Sequence, residues 1–547
     1  MKKLLNESNI KLNKIDYIFL TVIIAIYTVL AFINLGDLKA PQTYYNIIEN
    51  EMITVELKNT EDIIKMKFYN TEQSASYQID ISDDNTNFTS SGMVEGNGAF
   101  AWTEFKILGK AKYIRITSLS NSSLGELAFY NNGGNIITIN KIYSNYKVIK
   151  ELTDEQDTIP RDINYMNSSY FDEVYFARTA YEYVNNLNIY EWTHPPLGKL
   201  IQAIPIKLSN TMAPFYYRLM GNIAGILMIP IMYLLGKELF KKRKYAIASS
   251  LLILLDNFHF AQTRMGTVDS YLVLFIMLSF YFMFKFINNK NTNINLLLSG
   301  LFIGLAISVK WTGLYAGLGL AIIYFIDIIK NKKINIKLLL KTVIFFIIVP
   351  AMIYMGSFYL FPKLLNQGYE FSNIVGQQQS MYKYHSEIKE THAFSSKWYQ
   401  WPIFYRPVWY YTNQPDTQHT GTITGLGNIA IWWFSIIPLL YLIYKIIRKR
   451  DILSINLLII YLSMLLPYMF IERIMFQYHY FIAMPFVLLV IINFFKDIEE
   501  KYKISYVLPT YLLIVLIVFI IYFPVVSGIP ITNEYSENLK LLTSWYW

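Results

Sequence analysis

Long apolar runs constrain this chain more than any other feature. A helix that crosses a bilayer needs roughly 20 apolar residues, and about eleven runs approach that length. They lie near residues 17–35, 215–240, 245–258, 271–287, 296–309, 312–329, 338–360, 429–447, 452–470, 481–495 and 506–523. Of 547 residues, 54% are hydrophobic and only 16% charged, the balance of a polytopic membrane protein. The first run is too long for a signal-peptide core and lacks a small-residue cleavage site, so it reads as a helix.

Basic clusters orient the runs. Lys2, Lys3, Lys11 and Lys14, then Lys241–Lys244, Lys330–Lys337, Lys445–Arg450 and Lys496–Lys503, all fall on one side if the runs alternate. Positive charge marks cytoplasmic loops, so the N-terminus is predicted to be cytoplasmic and the C-terminal tail outside. The net charge of +9 therefore reports membrane topology and not nucleic-acid binding. With no cysteine, disulfides and thiolate chemistry are excluded. The layout is a tail and first helix (1–40), an outer domain (41–145), an outer loop (146–214) and helices two to seven (215–360). A second outer loop (361–428), helices eight to eleven (429–528) and an outer tail (529–547) follow.

The outer domain carries a different period. Ile53, Val55 and Leu57 alternate with Thr54 and Glu56, and Ile64, Met66 and Phe68 with Lys65 and Lys67. Period two, punctuated by Asn, Asp, Ser and Gly, predicts a small antiparallel β-sandwich over about residues 45–142. Residues 112–130 resemble the closing strands of discoidin-like carbohydrate-binding modules; the alternative is a spacer without ligand.

Several charges fall on the wrong side for the topology rule. Arg218, Arg264, Asp269, Lys310, Arg406, Glu472 and Arg473 collect at the outer face, together with the acidic pair Asp172-Glu173. Any one alone is explained by snorkelling at the interface. Five basic groups on one face suit a phosphate or pyrophosphate. No Gly-rich nucleotide loop is present, so an outer-face enzyme would need a substrate activated without nucleotide, such as a lipid-linked phosphosugar.

The motifs then resemble a known family. Phe171-Asp172-Glu173-Val174-Tyr175-Phe176 and His194-Pro195-Pro196-Leu197-Gly198-Lys199 match the protein O-mannosyltransferases, the polyprenyl-phosphate-mannose-dependent branch of the GT-C membrane glycosyltransferases. Arg218, the Gln262-Thr263-Arg264-Met265 turn with Asp269, and Ser308-Val309-Lys310-Trp311-Thr312-Gly313 follow in the family's order. Trp401-Pro402 with Arg406-Pro407-Val408-Trp409, then Arg473 and Phe476-Gln477-Tyr478-His479-Tyr480, complete it. Residues 361–428 are too short for the MIR β-trefoil of eukaryotic members, which suits a bacterial type.

The resemblance implies a GT-C fold and inverting transfer of mannose from a polyprenyl phosphate to Ser or Thr of exported proteins at the outer face of the cell membrane. An aliphatic hydroxyl is a weak nucleophile and needs a base, a role assigned to Asp172, with Glu173 orienting the sugar or raising the base's pKa. Arg218, Arg264, Lys310 and Arg473 are expected to hold the leaving phosphate. His194, Asp269, Arg406, Tyr478 and His479 are expected to contact sugar or acceptor. No cofactor is expected, and no metal, since His385, His392 and His419 have no standard ligand spacing. Alternatives are a related transferase acting on a lipid or cell-wall glycan, a lipid-linked-sugar transporter, and a non-catalytic carbohydrate-binding protein.

Overall fold

Every apolar run read from the sequence is helical over most of its length in the computed structural model, which describes residues 12–72, 75–145, 147–288, 293–332, 335–360 and 371–547. Lys2, Lys3 and Lys11, Lys333, and residues 361–370 of the second outer loop lie outside the described residues. In chain order the principal helices begin with α1 (Lys14–Phe32), α2 (Glu173–Val184), α3 (Leu197–Ser209) and α4 (Pro214–Phe240). Next come α5 (Arg243–Leu254), α6 (Asn257–Thr263), α7 (Asp269–Asn288), α8 (Asn293–Val309) and α9 (Gly313–Lys330). The rest are α10 (Ile336–Tyr359), α11 (Phe371–Glu387), α12 (Ile429–Lys449), α13 (Ile452–Phe470), α14 (Met484–Tyr502) and α15 (Val507–Tyr522).

Among the described residues, seven helices are long and apolar enough to cross a membrane: α1, α4, α7, α9, α10, α12 and α13. Helices α8 and α15 are apolar but shorter. The third run breaks between α5 and α6, where the Asp256 carboxylate accepts from the Phe258 N–H at 2.8 Å and starts a new helix. The tenth run continues into Lys496, Asp497, Glu499 and Glu500, which end its apolar stretch. The chain is thus a multi-pass helical membrane protein, and among the described residues seven of the eleven expected spans reach full length.

The chain divides into two units. One comprises Met1–Ile33, Asn185–Gln202 and Leu219–Trp547 and holds the helical bundle. Its first helix is tied down by charge: buried Asp16 accepts from Arg243 at 2.7 Å, from Tyr233 at 2.5 Å and from Lys237. Buried charges persist only when paired and hydrogen-bonded. Close packing elsewhere relies on small residues. A Cβ on Gly300 of α8 would lie 1.9 Å from the Phe345 carbonyl oxygen, so α8 and α10 touch backbone to backbone.

The other unit comprises Asn34–Val184 and Ala203–Arg218. Its strands are β1 (Tyr45–Ile47), β2 (Met52–Asn70), β3 (Ser76–Ser82), β4 (Thr89–Glu95), β5 (Ala101–Ser118), β6 (Ser122–Asn131), β7 (Ile139–Ser144) and β8 (Lys147–Val148). They join in one continuous antiparallel sheet of order β1-β6-β2-β5-β3-β4, with β7 between β2 and β8. The sandwich expected from the alternation is therefore a single bent sheet. Strands β2 and β5 run its whole length and shift register between Glu56 and Glu61, so β2 pairs with β7 on one side of the shift and with β6 on the other. Ile53, Val55, Phe68, Ile79, Ile107, Ile114 and Phe129 form its core.

Candidate functional site

Consider first the acidic motif. Helix α2 begins at Glu173, and the Asp172 carbonyl accepts from the N–H groups of Tyr175 and Phe176, both at 3.1 Å. Asp172 is half-buried, and the residue before it, Phe171, holds φ at +49°. A bulky residue in the left-handed region is a local strain that surrounding structure must enforce.

Glu173 is fully buried and pairs bidentately with Arg218, 2.7 Å to each carboxylate oxygen. Arg218 also donates to the carbonyls of Leu35, Tyr165 and Ser168 at 2.9, 2.7 and 3.1 Å. A guanidinium has five N–H donors, and all five are used. This corrects two expectations: Arg218 has no donor left for a phosphate, and Glu173 faces Arg218 and not a substrate. The pair is a clamp that fixes the segments on either side of Asp172.

In the helical unit, the His-Pro-Pro-Leu-Gly-Lys run folds as a tight loop into α3. The fully buried Lys199 ammonium donates to the Glu191 carboxylate at 2.5 Å and to the carbonyls of Glu191 and His194 at 2.7 and 3.0 Å. Glu191 in turn accepts from the Thr193 N–H at 2.9 Å and bonds His194 Nδ1 at 2.9 Å. Gly198 is required by space: a Cβ there would lie 2.7 Å from Val268 Cγ1. Proline stiffens the approach to the helix.

This loop forms one wall of a cavity of about 410 Å³. Its lining includes His194, Lys310, Trp311, His385, Arg473 and His479. Lys310 pairs with Asp269 at 2.9 Å, and its ammonium stands 5.8 Å from the Tyr478 ring. Arg473 is half-buried and forms no ion pair with the described residues. The structure therefore brings Lys310, Arg473, His194 and His479 of the expected residues into one cavity.

Others go elsewhere. Arg264 donates from one guanidinium nitrogen to the carbonyls of Leu30, Ala31 and Ile33 at 3.4, 3.2 and 2.6 Å and so caps the C-terminus of α1, and it is not in the cavity lining. Arg406 donates to the Ala393 carbonyl at 2.5 Å and is not in the cavity lining. Tyr478 stacks on His479, with ring centroids 4.6 Å apart, and is not in the cavity lining.

Two family models cover much of the chain. Residues 159–366 match the dolichyl-phosphate-mannose-protein mannosyltransferase model, and residues 370–545 match the C-terminal four-helix region of protein-O-mannosyltransferase. The chain is a protein O-mannosyltransferase family member, and hence a glycosyltransferase. Neither model reaches the eight-stranded sheet. The polyprenol-phosphate-mannose–protein mannosyltransferase of Mycolicibacterium smegmatis is 22% identical over 451 residues, 69% of this chain and 87% of that protein. Its namesake in Corynebacterium glutamicum is 22% identical, over 64% of this chain and 81% of that protein. A chain of the Saccharomyces cerevisiae protein O-mannosyltransferase Pmt1–Pmt2 complex shares the fold, with a TM-score of 0.60 at 15% identity, covering 69% of this chain and 89% of that one.

Two features of this mannosyltransferase were not found by sequence reasoning: Glu191 and the anchoring role of Lys199. The motif names Lys199 but not its partner eight residues upstream. His385 sits on α11 and donates from Nε2 to the Thr193 carbonyl at 2.8 Å, a contact between segments 192 residues apart.

Burial favours the uncharged form of the cavity's imidazoles. Burial pushes His194 and His479 below the usual histidine range, His479 far below it, with Lys310 adding to the effect at both. Burial and the nearby His194 and Arg473 bring His385 down to about 4. The unfolded chain protonates these rings near pH ~6.5. Between that value and about 4 the unfolded state thus binds more protons than the folded one, so stability falls as pH drops through this window. Melting temperature in detergent is expected to fall from pH 7 to pH 4.5, and less steeply in His385→Leu.

Proposed function

We propose that this enzyme transfers mannose from a polyprenyl-phosphate carrier to Ser or Thr hydroxyls of exported proteins, with inversion, at the extracytoplasmic membrane face. The acceptor oxygen attacks the anomeric carbon, its proton passes to Asp172, and the polyprenyl phosphate leaves. Lys310 and Arg473 hold the charge that grows on that phosphate. Two cations, Lys310 and Arg473, lining one cavity with the rings of His194, His385 and His479 is the observation that carries this reading. Family membership and the activity for which the bacterial relatives are named support the donor and the protein acceptor. The basic clusters of the sequence support the outer face.

The test uses purified full-length protein, radiolabelled polyprenyl-phosphate mannose and a Ser/Thr-rich peptide. Label is expected on the peptide, and label found only on a lipid or glycan rejects the protein acceptor. Arg473→Ala is expected to lower kcat roughly 10²-fold or more, the usual cost of losing one donor to a developing anion. An unchanged rate removes Arg473 from the phosphate site.

A further inference from the structure

An uncharged, aromatic stretch of the loop before α12 lies only partly inside the protein. Trp398–Ile403 forms a short 3-10 helix, and residues 398–405 carry no charge, with Lys397 before them and Arg406 after them. Trp401 and Phe404 are fully buried. Trp401 packs on Tyr468 and His479, with ring centroids 4.9 and 5.9 Å away, and both of those residues line the cavity. Tyr399, Ile403 and Tyr405 are exposed instead, Tyr399 by 55%. These exposed residues adjoin a stripe on α12. Trp433 is half-buried, and Ile436, Ile437, Leu440, Tyr444 and Ile447 are exposed. Their steps of three and four residues put them on one helix face. The Trp433 indole donates to the Ile403 carbonyl at 2.7 Å, so the turn abuts the start of the stripe. At its far end the stripe meets Arg448, Lys449 and Arg450.

We infer that residues 398–405 are seated in the headgroup layer of the bilayer, at the end of α12 away from Arg448, with Tyr399, Ile403 and Tyr405 facing lipid. Length supports this seat. From Trp433 to Ile447 the stripe rises about 21 Å at ~1.5 Å per residue, short of the ~30 Å hydrocarbon core. The turn extends the apolar surface at the end where the stripe runs out. Composition supports it too. Tyrosine offers an apolar ring and a polar tip, the pattern favoured at the membrane interface. Lys397 and Arg406 on either side have long stems that let their charges reach water. Lipid is preferred over a protein partner because the exposed surface continues the outward face of a membrane-spanning helix. Trp401 braces two cavity residues from the same turn, so the seat sets the depth of the cavity relative to the lipid phosphates.

The chain has no cysteine, so single-cysteine variants of the full-length protein can be spin-labelled in phosphatidylcholine vesicles without background. The test sites are Tyr399→Cys, Ile403→Cys and Tyr405→Cys. Leu440→Cys, exposed on α12, is the lipid reference, and Asn59→Cys, exposed on β2, is the water reference. For each label, the collision rate with oxygen, which concentrates in the bilayer, is divided by that with a water-soluble nickel chelate. The ratios at the three test sites are expected to exceed that of Asn59→Cys several-fold and to approach that of Leu440→Cys. Ratios no higher than the Asn59→Cys value overturn the inference. Labels that neither reagent reaches overturn it as well, since they place a protein partner on the turn. Each substitution replaces an exposed side chain and leaves Trp401 and Phe404 in place. Tyr399→Cys and Ile403→Cys decide the matter if Tyr405→Cys does not fold. The readout requires no mannosyl transfer, so it stands whether or not the proposed reaction does.

Discussion

Asp172→Asn is expected to lower kcat for mannosyl transfer by about two to four orders of magnitude, the usual contribution of a positioned general base. The side chain keeps its shape and loses only its capacity to take a proton. Asparagine serves as well as aspartate at a helix N-cap, so the start of α2 should survive the change. Donor binding, read from retention of polyprenyl-phosphate mannose on the purified variant, and melting temperature should stay at wild-type values. A rate within about fivefold of wild type would remove Asp172 from proton transfer, since base catalysis is worth at least tens of fold.

Arg218→Leu is expected to act on stability instead. It leaves the fully buried Glu173 carboxylate without its cation and strips donors from three main-chain carbonyls. Breaking one side of such a pair typically costs about 3–5 kcal/mol. The readout is the midpoint of thermal unfolding in detergent. The double variant Arg218→Leu, Glu173→Leu should regain much of the loss, because it removes the stranded charge as well. Arg473→Ala, at a half-buried position with no ion pair to the described residues, should leave the midpoint unmoved while lowering transfer. Equal destabilisation by Arg218→Leu and Arg473→Ala would erase the distinction drawn between a clamp and a ligand-holding cation.

That distinction was not legible in the sequence. Arg218, Arg264, Lys310 and Arg473 all read alike, as basic residues on the outer side. What separates them is where their donors end. Arg264 meets carbonyls more than 230 residues away, and Arg218 meets Leu35, 183 residues away. No local pattern records such partners. Helices were legible because hydropathy is a property of consecutive residues, and strands because alternation is too. Sheet pairing was not, since period two says which way a side chain points but not which strand lies beside it. The long register shift in β2 lets one strand serve two sets of neighbours, and that turned an expected sandwich into one bent sheet. The spacing of His385 set it aside as a metal ligand, but its partner, the Thr193 carbonyl 192 residues away, has no local signature.

The left-handed Phe171 has a practical corollary. A short synthetic peptide bearing the Phe-Asp-Glu stretch would relax at this residue and gain on the order of 1–3 kcal/mol in doing so. Antibodies raised against such a peptide, or inhibitors designed to mimic it, would meet a carboxylate aimed differently from the one the intact protein presents.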